Sequence, residues 1–196
     1  MPLELTIVHA DVRELTRNLG NRDAAKQAGI FAGLVRRLDA AGARAAAITS
    51  IAGHFCAREL EALSPLPIID AIPEIDAAIK RKNLKTVGLL GTRAAMESGL
   101  YGAITAAEVV LPDGETLDRV HASYVEMATV GRPTDAQRHV FFSVGRDLCR
   151  KHGADGVVLA GTDLFLAFQG QDCGFPVLDC ADVHINAIYR RSAEST

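Results

Sequence analysis

Ser50 and His54 stand four residues apart, which brings a hydroxyl and an imidazole within reach of each other on one helical turn. Serine acts as a nucleophile when a base adjoins it, so this spacing admits that chemistry. A hydroxyl titrates far above neutrality, however, and makes a poor base for taking a proton from carbon. The plainer expectation is that Ser50 closes a strand and caps the helix after it. His54 is read either as a hydrogen-bonding group in a ligand site or as a helix-start histidine satisfied by backbone. Thr162 and Asp163 place a hydroxyl and a carboxylate side by side. Asp163 is suited to orient a ligand's amino group, or else to cap a helix over 164–168. Thr92 suits an anion site built from backbone N–H groups, or a simple N-cap. Tyr101 offers a phenol to a ligand or a ring to the core. Cys56 and Cys180 are read either as thiols that reach a ligand site and serve a one-base reaction or as buried structural thiols, the commoner fate of free cysteine.

The elements that would position these residues follow from the apolar pattern. Short apolar runs alternate with longer stretches of helical periodicity, as in βαβ units. Strands are predicted over 5–9, 45–49, 67–70, 86–90, 108–111, 156–160 and 176–179. Helices are predicted over 23–41, 56–63, 72–82, 94–103, 134–152 and 181–191. Ala28, Phe31, Leu34, Val35 and Leu38 recur three or four apart, so one face of that helix packs on a sheet. Gly42 and Gly153 follow helices where left-handed caps are wanted. Segments 42–54 and 153–163 echo each other: Gly-Ala, a polar step, an apolar strand, then a polar tip. In open α/β sheets ligands bind beyond the carboxyl ends of strands, where both tips lie. The fold class is α/β.

Composition narrows the function classes. With 48% apolar residues in 196, the chain has ample material for a core. A net charge of −3 without blocks of like charge leaves no footprint for nucleic acid or an acidic membrane. No apolar run approaches the roughly 20 residues that span a bilayer. Four cysteines without a C-x-x-C spacing argue against a zinc ribbon and a disulfide scaffold. No metal site is expected, and with no leader peptide read at the start, a reducing, cytoplasmic setting is. No G-x-G-x-x-G follows a strand, so a dinucleotide-dependent dehydrogenase is not supported.

Several runs together carry a family resemblance. Gly88-Leu-Leu-Gly-Thr-Arg-Ala-Ala-Met-Glu-Ser-Gly-Leu-Tyr101 resembles the strand, Gly-Thr, helix and Tyr signature of the aspartate/glutamate racemases. Ala154-Asp-Gly-Val-Val-Leu-Ala-Gly-Thr-Asp163 is similar to that family's second catalytic strand, and Phe175-Pro-Val-Leu-Asp179 to the segment after it. Leu38-Asp-Ala-Ala-Gly-Ala-Arg44 and residues 45–54 resemble the approach to its first catalytic tip. The resemblance implies two pseudo-symmetric, flavodoxin-like lobes with parallel sheets and an active site between them. The expected division is 1–83 plus 180–196 for the first lobe and 84–179 for the second. It also implies no cofactor, a small-molecule ligand such as an acidic amino acid, and a homodimer. In such an enzyme one thiolate removes the α-proton and an opposed thiol returns one, because inversion needs a group on each face.

The chain departs from that pattern where the chemistry sits. Ser50 and Gly161 stand at the two positions that match the family's cysteines. Ile51 and Ala52 replace a polar pair, and Ala95 replaces a threonine three residues beyond Thr92. The family opens with a strand, a Gly-rich turn and a helix before the segment matching 3–12, roughly 35 residues by typical lengths, so a fragment, a misplaced start or a reduced version is expected. The first lobe is then expected to lack its first strand and to leave edges unpaired. The resemblance therefore implies a cofactor-independent amino-acid racemase with weak or no turnover. One alternative is a non-catalytic binding or interaction protein on the same fold. Another is an enzyme using other acid/base groups, such as His54 with Asp163.

Overall fold

The computed structural model describes residues 4–194. Its contacts divide the chain into one unit of Met1–Asp70 with Ile185–Thr196 and another of Ala71–His184.

The first unit is built on two helices whose caps are written in the sequence. Asp11 opens α1 (Val12–Gly20) by accepting the Arg13 N–H, and Asp23 opens α2 (Ala24–Ala40) by accepting that of Lys26. Asn18 of α1 donates to Gln27 of α2 at 2.8 Å, a buried pair that satisfies two polar side chains at once. The apolar stripe of α2 (Ala28, Phe31, Ala32, Val35) joins Leu15, Ala46, Cys56, Leu60 and Leu66 in a single core. A 3₁₀ turn over Ile51–Cys56 leads into α3 (Ala57–Leu63).

The strands expected in this unit are the main correction. Residues 5–9 form no strand; Leu5 is 68% and Ile7 88% exposed. The expected strands 45–49 and 67–70 meet in one parallel bridge, Ala46 with Ile68. A strand is made by ladder partners as well as by its side chains, and these apolar runs lack a continuous neighbour.

The second unit carries a full sheet. After α4 (Ala71–Arg81) come β1 (Thr86–Gly91), α5 (Arg93–Glu97), a single turn α6 (Gly99–Gly102) and β2 (Glu108–Val110). Then follow α7 (Gly114–Val130), α8 (Asp135–His152), β3 (Gly156–Ala160), a 3₁₀ turn over Thr162–Leu164, α9 (Phe165–Phe168) and β4 (Val177–Asp179). The last helix, α10 (Cys180–Glu194), starts in this unit and crosses its boundary at Ile185. The strands are all parallel in the order β2-β1-β3-β4. Central β1 and β3 are buried nearly throughout, which explains their unbroken apolar runs: both faces are covered. Helix α8 begins with a capping box between Thr134 and Gln137 and ends on Gly153 at φ +72°.

The expected helix over 94–103 is instead α5 followed by a turn of opposite hand. Gly99, Leu100, Tyr101 and Gly102 have φ of +58°, +53°, +62° and +73°. L-residues resist that region, so Leu100 and Tyr101 are held there by their surroundings; Leu100 is fully buried. Helices α1 and α7 occupy stretches for which the sequence pattern predicts no element.

Two carboxylates tie connections to this unit. Asp155 accepts the N–H groups of Lys85 and Thr86 at 2.6 and 3.0 Å. Asp76 of α4 accepts the Thr105 N–H, its hydroxyl and the Ala106 N–H at 2.7, 2.8 and 2.9 Å. Partial burial pushes the Asp76 carboxyl up, but the bonds from Ala106 and Thr105 outweigh it and hold the group below its ordinary value. A depressed carboxyl stabilises the fold above its unfolded pKa of about 3.9 and loses that contribution as pH falls through the lower folded value. Asp76→Ala is expected to cost about 1 kcal/mol near neutrality, as loss of a cap does, with the exposed charge discounted for screening. Urea titrations near neutrality and below the carboxylate range should show that difference shrinking in acid; an unchanged difference would refute the assignment.

Candidate functional site

In the first unit, the Ala46–Ile68 bridge brings two chain segments together at the tip that follows residues 45–49. Ala46 donates to the Pro67 carbonyl at 3.0 Å, and Ile69 donates to the Ala46 carbonyl at 2.8 Å. Ser50 then occupies the N-cap position of the 3₁₀ turn, but its side chain makes no capping bond, contrary to expectation. Its carbonyl does the work instead, accepting the Gly53 N–H at 3.0 Å and meeting His54 Nδ1 at 2.8 Å. Because a carbonyl only accepts, His54 must carry its proton on Nδ1 there. The buried imidazole turns Nε2 toward Asp70 Oδ1 at 3.6 Å. Ser50 and His54 are thus brought together through the serine's backbone. Asp70 was missed in the sequence because it lies in the second of two segments that only tertiary pairing joins.

Gly53 is required by packing: a Cβ there would sit 2.6 Å from Ile48 Cγ2 and 3.3 Å from the Phe31 ring. Cys56 is fully buried and donates its thiol to the Gly53 carbonyl at 3.4 Å. Burial, with Glu59 nearby, pushes that thiol up to about 12.

In the second unit, Thr92 and the Thr162–Asp163 pair follow the carboxyl ends of the adjacent strands β1 and β3. Thr92 caps α5, its hydroxyl accepting the Ala95 N–H at 3.2 Å. The next N–H, from Arg93, is taken by Nδ1 of His121 at 3.2 Å. That bond requires a lone pair on Nδ1, and burial followed by the Arg93 charge lowers the His121 pKa, consistent with a neutral ring. The Arg93 guanidinium pairs with Glu97 at 2.7 Å and with Asp118.

Asp163 does not cap α9, as one expectation had it; no side-chain cap bond opens that helix. Its Oδ2 accepts the Tyr124 hydroxyl at 2.8 Å. Burial, and then the Asp163 charge, push the Tyr124 phenol strongly upward, so it stays protonated and acts as a donor. Tyr101 adds to the same push. Gly161 contributes backbone only, and the Tyr124 ring lies over it.

In the second unit, Tyr124 and His121, both on α7, are the residues that sequence reasoning missed. Their signal was present: Leu117, Val120, Tyr124 and Met127 are spaced three, four and three apart and are all buried. Gly131, at φ +75°, marks the end of the helix. A depression lined by Lys82, Leu84, Gly156, Pro176, Val177 and Leu178 lies by the amino ends of β3 and β4, away from these strand tips. Its lining holds no carboxylate, imidazole or thiol and none of the candidate residues. Among the described residues no helix is long and apolar enough to cross a membrane.

The family model described as Asp/Glu/Hydantoin racemase matches residues 2–188. A crystal structure of a candidate Asp/Glu racemase from Yersinia pestis is 26% identical, with a TM-score of 0.81 over 94% of this chain and 81% of that one. An aspartate racemase homologue from Pyrococcus horikoshii OT3 shares the fold at 21% identity and TM-score 0.82, covering 97% of this chain and 84% of that one. The aspartate racemase of Picrophilus torridus shares it at 18% identity and TM-score 0.65, covering 84% and 69%. With a family model matching nearly its full length, the chain belongs to the Asp/Glu/Hydantoin racemase family.

Proposed function

We propose that this protein binds a small amino-acid-like ligand and has lost, or nearly lost, the two-thiol proton transfer of an amino-acid racemase. The observation that carries the proposal is the state of its thiols. Positions 50 and 161 hold serine and glycine, and of the four cysteines elsewhere in the chain Cys56, Cys173 and Cys180 are buried and Cys149 is half-buried. Cys56 is held near 12, which leaves about one part in 10⁵ as thiolate at neutral pH. Cys180 is fully buried and pushed upward by burial and by Asp179; Cys149 is raised by burial. The thiol, unlike the thiolate, is no base for an α-proton.

The groups of the second unit suited to binding are Thr92, Tyr101, Thr162 and Asp163. Asp163 suits a ligand's ammonium group by charge. This reading needs no cofactor. An enzyme that uses His54 and Asp163 as acid and base is the weaker reading. His54 Nδ1 is committed to the Ser50 carbonyl and Asp163 Oδ2 to Tyr124, so each has a structural task within its own unit.

The test is α-proton exchange in deuterated water, followed by NMR with L- and D-aspartate and glutamate and then a wider amino-acid panel. The folded protein is expected to incorporate no deuterium above background. Incorporation that disappears in a His54→Ala, Asp163→Ala variant would show surviving acid/base chemistry and end the proposal.

A further inference from the structure

Gly161 has φ −170° and ψ 126°, extended backbone that any residue adopts, so its own conformation does not call for glycine. What calls for it is Tyr124. A Cβ at position 161 would lie 2.6 Å from Tyr124 Cε2, and 2.8 Å from both Cζ and the hydroxyl oxygen. These distances are far inside carbon contact range. The ring cannot swing away freely, because Tyr124 is 8% exposed and its hydroxyl is bonded to Asp163, two residues beyond the glycine. The helix that carries it is anchored by buried Leu117, Val120 and Met127.

We infer that Tyr124 supplies the side chain beyond the carboxyl end of β3, filling the volume that a residue at 161 would use and excluding a thiol from it. Deepening the function proposed above, the inference rests on that reading of position 161 as the counterpart of a family cysteine. The loss of the thiol is then two changes rather than one: the side chain is absent, and its place is taken. Tyr124 holds the tip by hydrogen bonding to Asp163, and it sets which residues position 161 can accept. Restoring cysteine at 161 alone cannot return a thiol to that place while the ring remains. The ring atoms Cε2 and Cζ make the 2.6 Å contact and one of the two at 2.8 Å, so phenylalanine at 124 keeps most of the exclusion.

The experiment places Gly161→Cys in three versions of the full chain: Tyr124 retained, Tyr124→Phe and Tyr124→Ala. Urea titration reads the unfolding constant, and a thiol-specific disulfide reagent reads the rate of the added cysteine over the same protein without it. With Tyr124 or Tyr124→Phe, Gly161→Cys is expected to raise the unfolding constant about 10- to 100-fold, the range for overpacking a tight site. With Tyr124→Ala the rise should be under about threefold, as for sites that no longer interact. The added thiol should react about tenfold faster in the Tyr124→Ala protein, since a side chain that controls its reaching solvent has gone. If Gly161→Cys does not fold, Gly161→Ala in the same three backgrounds replaces it. Failure to fold with Tyr or Phe but not with Ala at 124 is the expected result in its strongest form.

An equal cost in all three backgrounds, failure in all three, or an added thiol equally slow throughout overturns the inference. Failure of the inference and failure of the proposed function remain separable. An equal cost together with silent α-proton exchange sinks only the role of Tyr124. Exchange by the native protein sinks the functional proposal and leaves the Tyr124–Gly161 comparison to be judged by its own result.

Discussion

Gly91→Ala is expected to cost about 3 kcal/mol of folding stability, the upper part of the range for overpacking. Gly91 ends β1 in register with Ala160 at the end of β3. A Cβ at 91 would lie 2.5 Å from the Ala160 carbonyl oxygen and 2.9 Å from its carbon. Those are backbone atoms of a paired central strand, so relief requires the two strands to part. At Gly88 the obstacle is the Leu148 side chain, with Cδ1 at 2.9 Å and Cβ at 3.0 Å rather than a backbone oxygen at 2.5 Å, and the same substitution there should cost less. Thr92 follows directly, so a parting of β1 from β3 also shifts the Thr92 cap of α5. The check is the urea midpoint at unchanged slope, with Gly29→Ala as control, because a methyl there meets open space inside a helix. A Gly91→Ala protein as stable as the parent would show that the two strand ends separate without loss.

Phe168→Ala is expected to cost about 3–5 kcal/mol, as removing a well-packed ring does. Phe168 is 8% exposed and lies among three other rings: Phe142 at 4.9 Å between centroids, Phe175 at 6.3 Å and Phe141 at 6.4 Å. The planes of Phe168 and Phe175 meet at 73°, an edge-to-face contact worth up to about 1.5 kcal/mol beyond burial. Gly145 admits the Phe175 ring, whose Cζ would lie 2.2 Å from a Cβ on that residue. Phe168 ends α9, which continues from the Thr162–Leu164 turn, so the ring cluster anchors the segment that holds Asp163. The chain has no tryptophan and three tyrosines, so tyrosine fluorescence in a Tyr101→Phe, Tyr189→Phe background reports on Tyr124 in its bond to Asp163. Phe168→Ala should therefore lower the unfolding midpoint and change that emission, whereas Phe168→Leu should retain more than half the stability. A midpoint shift without an emission change would separate the ring cluster from the Tyr124–Asp163 pair.

Much of the second unit could be read from the chain because its signals are local. The buried runs of β1 and β3, the capping box at Thr134 and the glycine after His152 each specify their own element without reference to distant residues. Helix α8 starts within one residue of expectation for that reason. The first unit was read less well. Apolar residues 5–9 and 45–49 look like strands, but a strand exists only where a neighbour supplies ladder bonds, and here one bridge remains. The left-handed turn at Leu100 and Tyr101 was hidden too, since only packing around buried Leu100 can hold two L-residues at positive φ.

What the sequence by itself determined was the family, the α/β class and the residue types at the two strand tips, including the absence of cysteine at 50 and 161. The class follows from the apolar pattern along the chain, and the family from the resemblance of several runs to known motifs. The partners of those tips were decided by the tertiary structure: Asp70 beside His54, His121 on the Arg93 N–H, and Tyr124 against Asp163 and over Gly161. Those pairs join residues 16, 28 and 39 positions apart, with Tyr124 also 37 positions from Gly161. No local rule links such positions; only the folding of separate segments onto one another brings their atoms within a few ångströms.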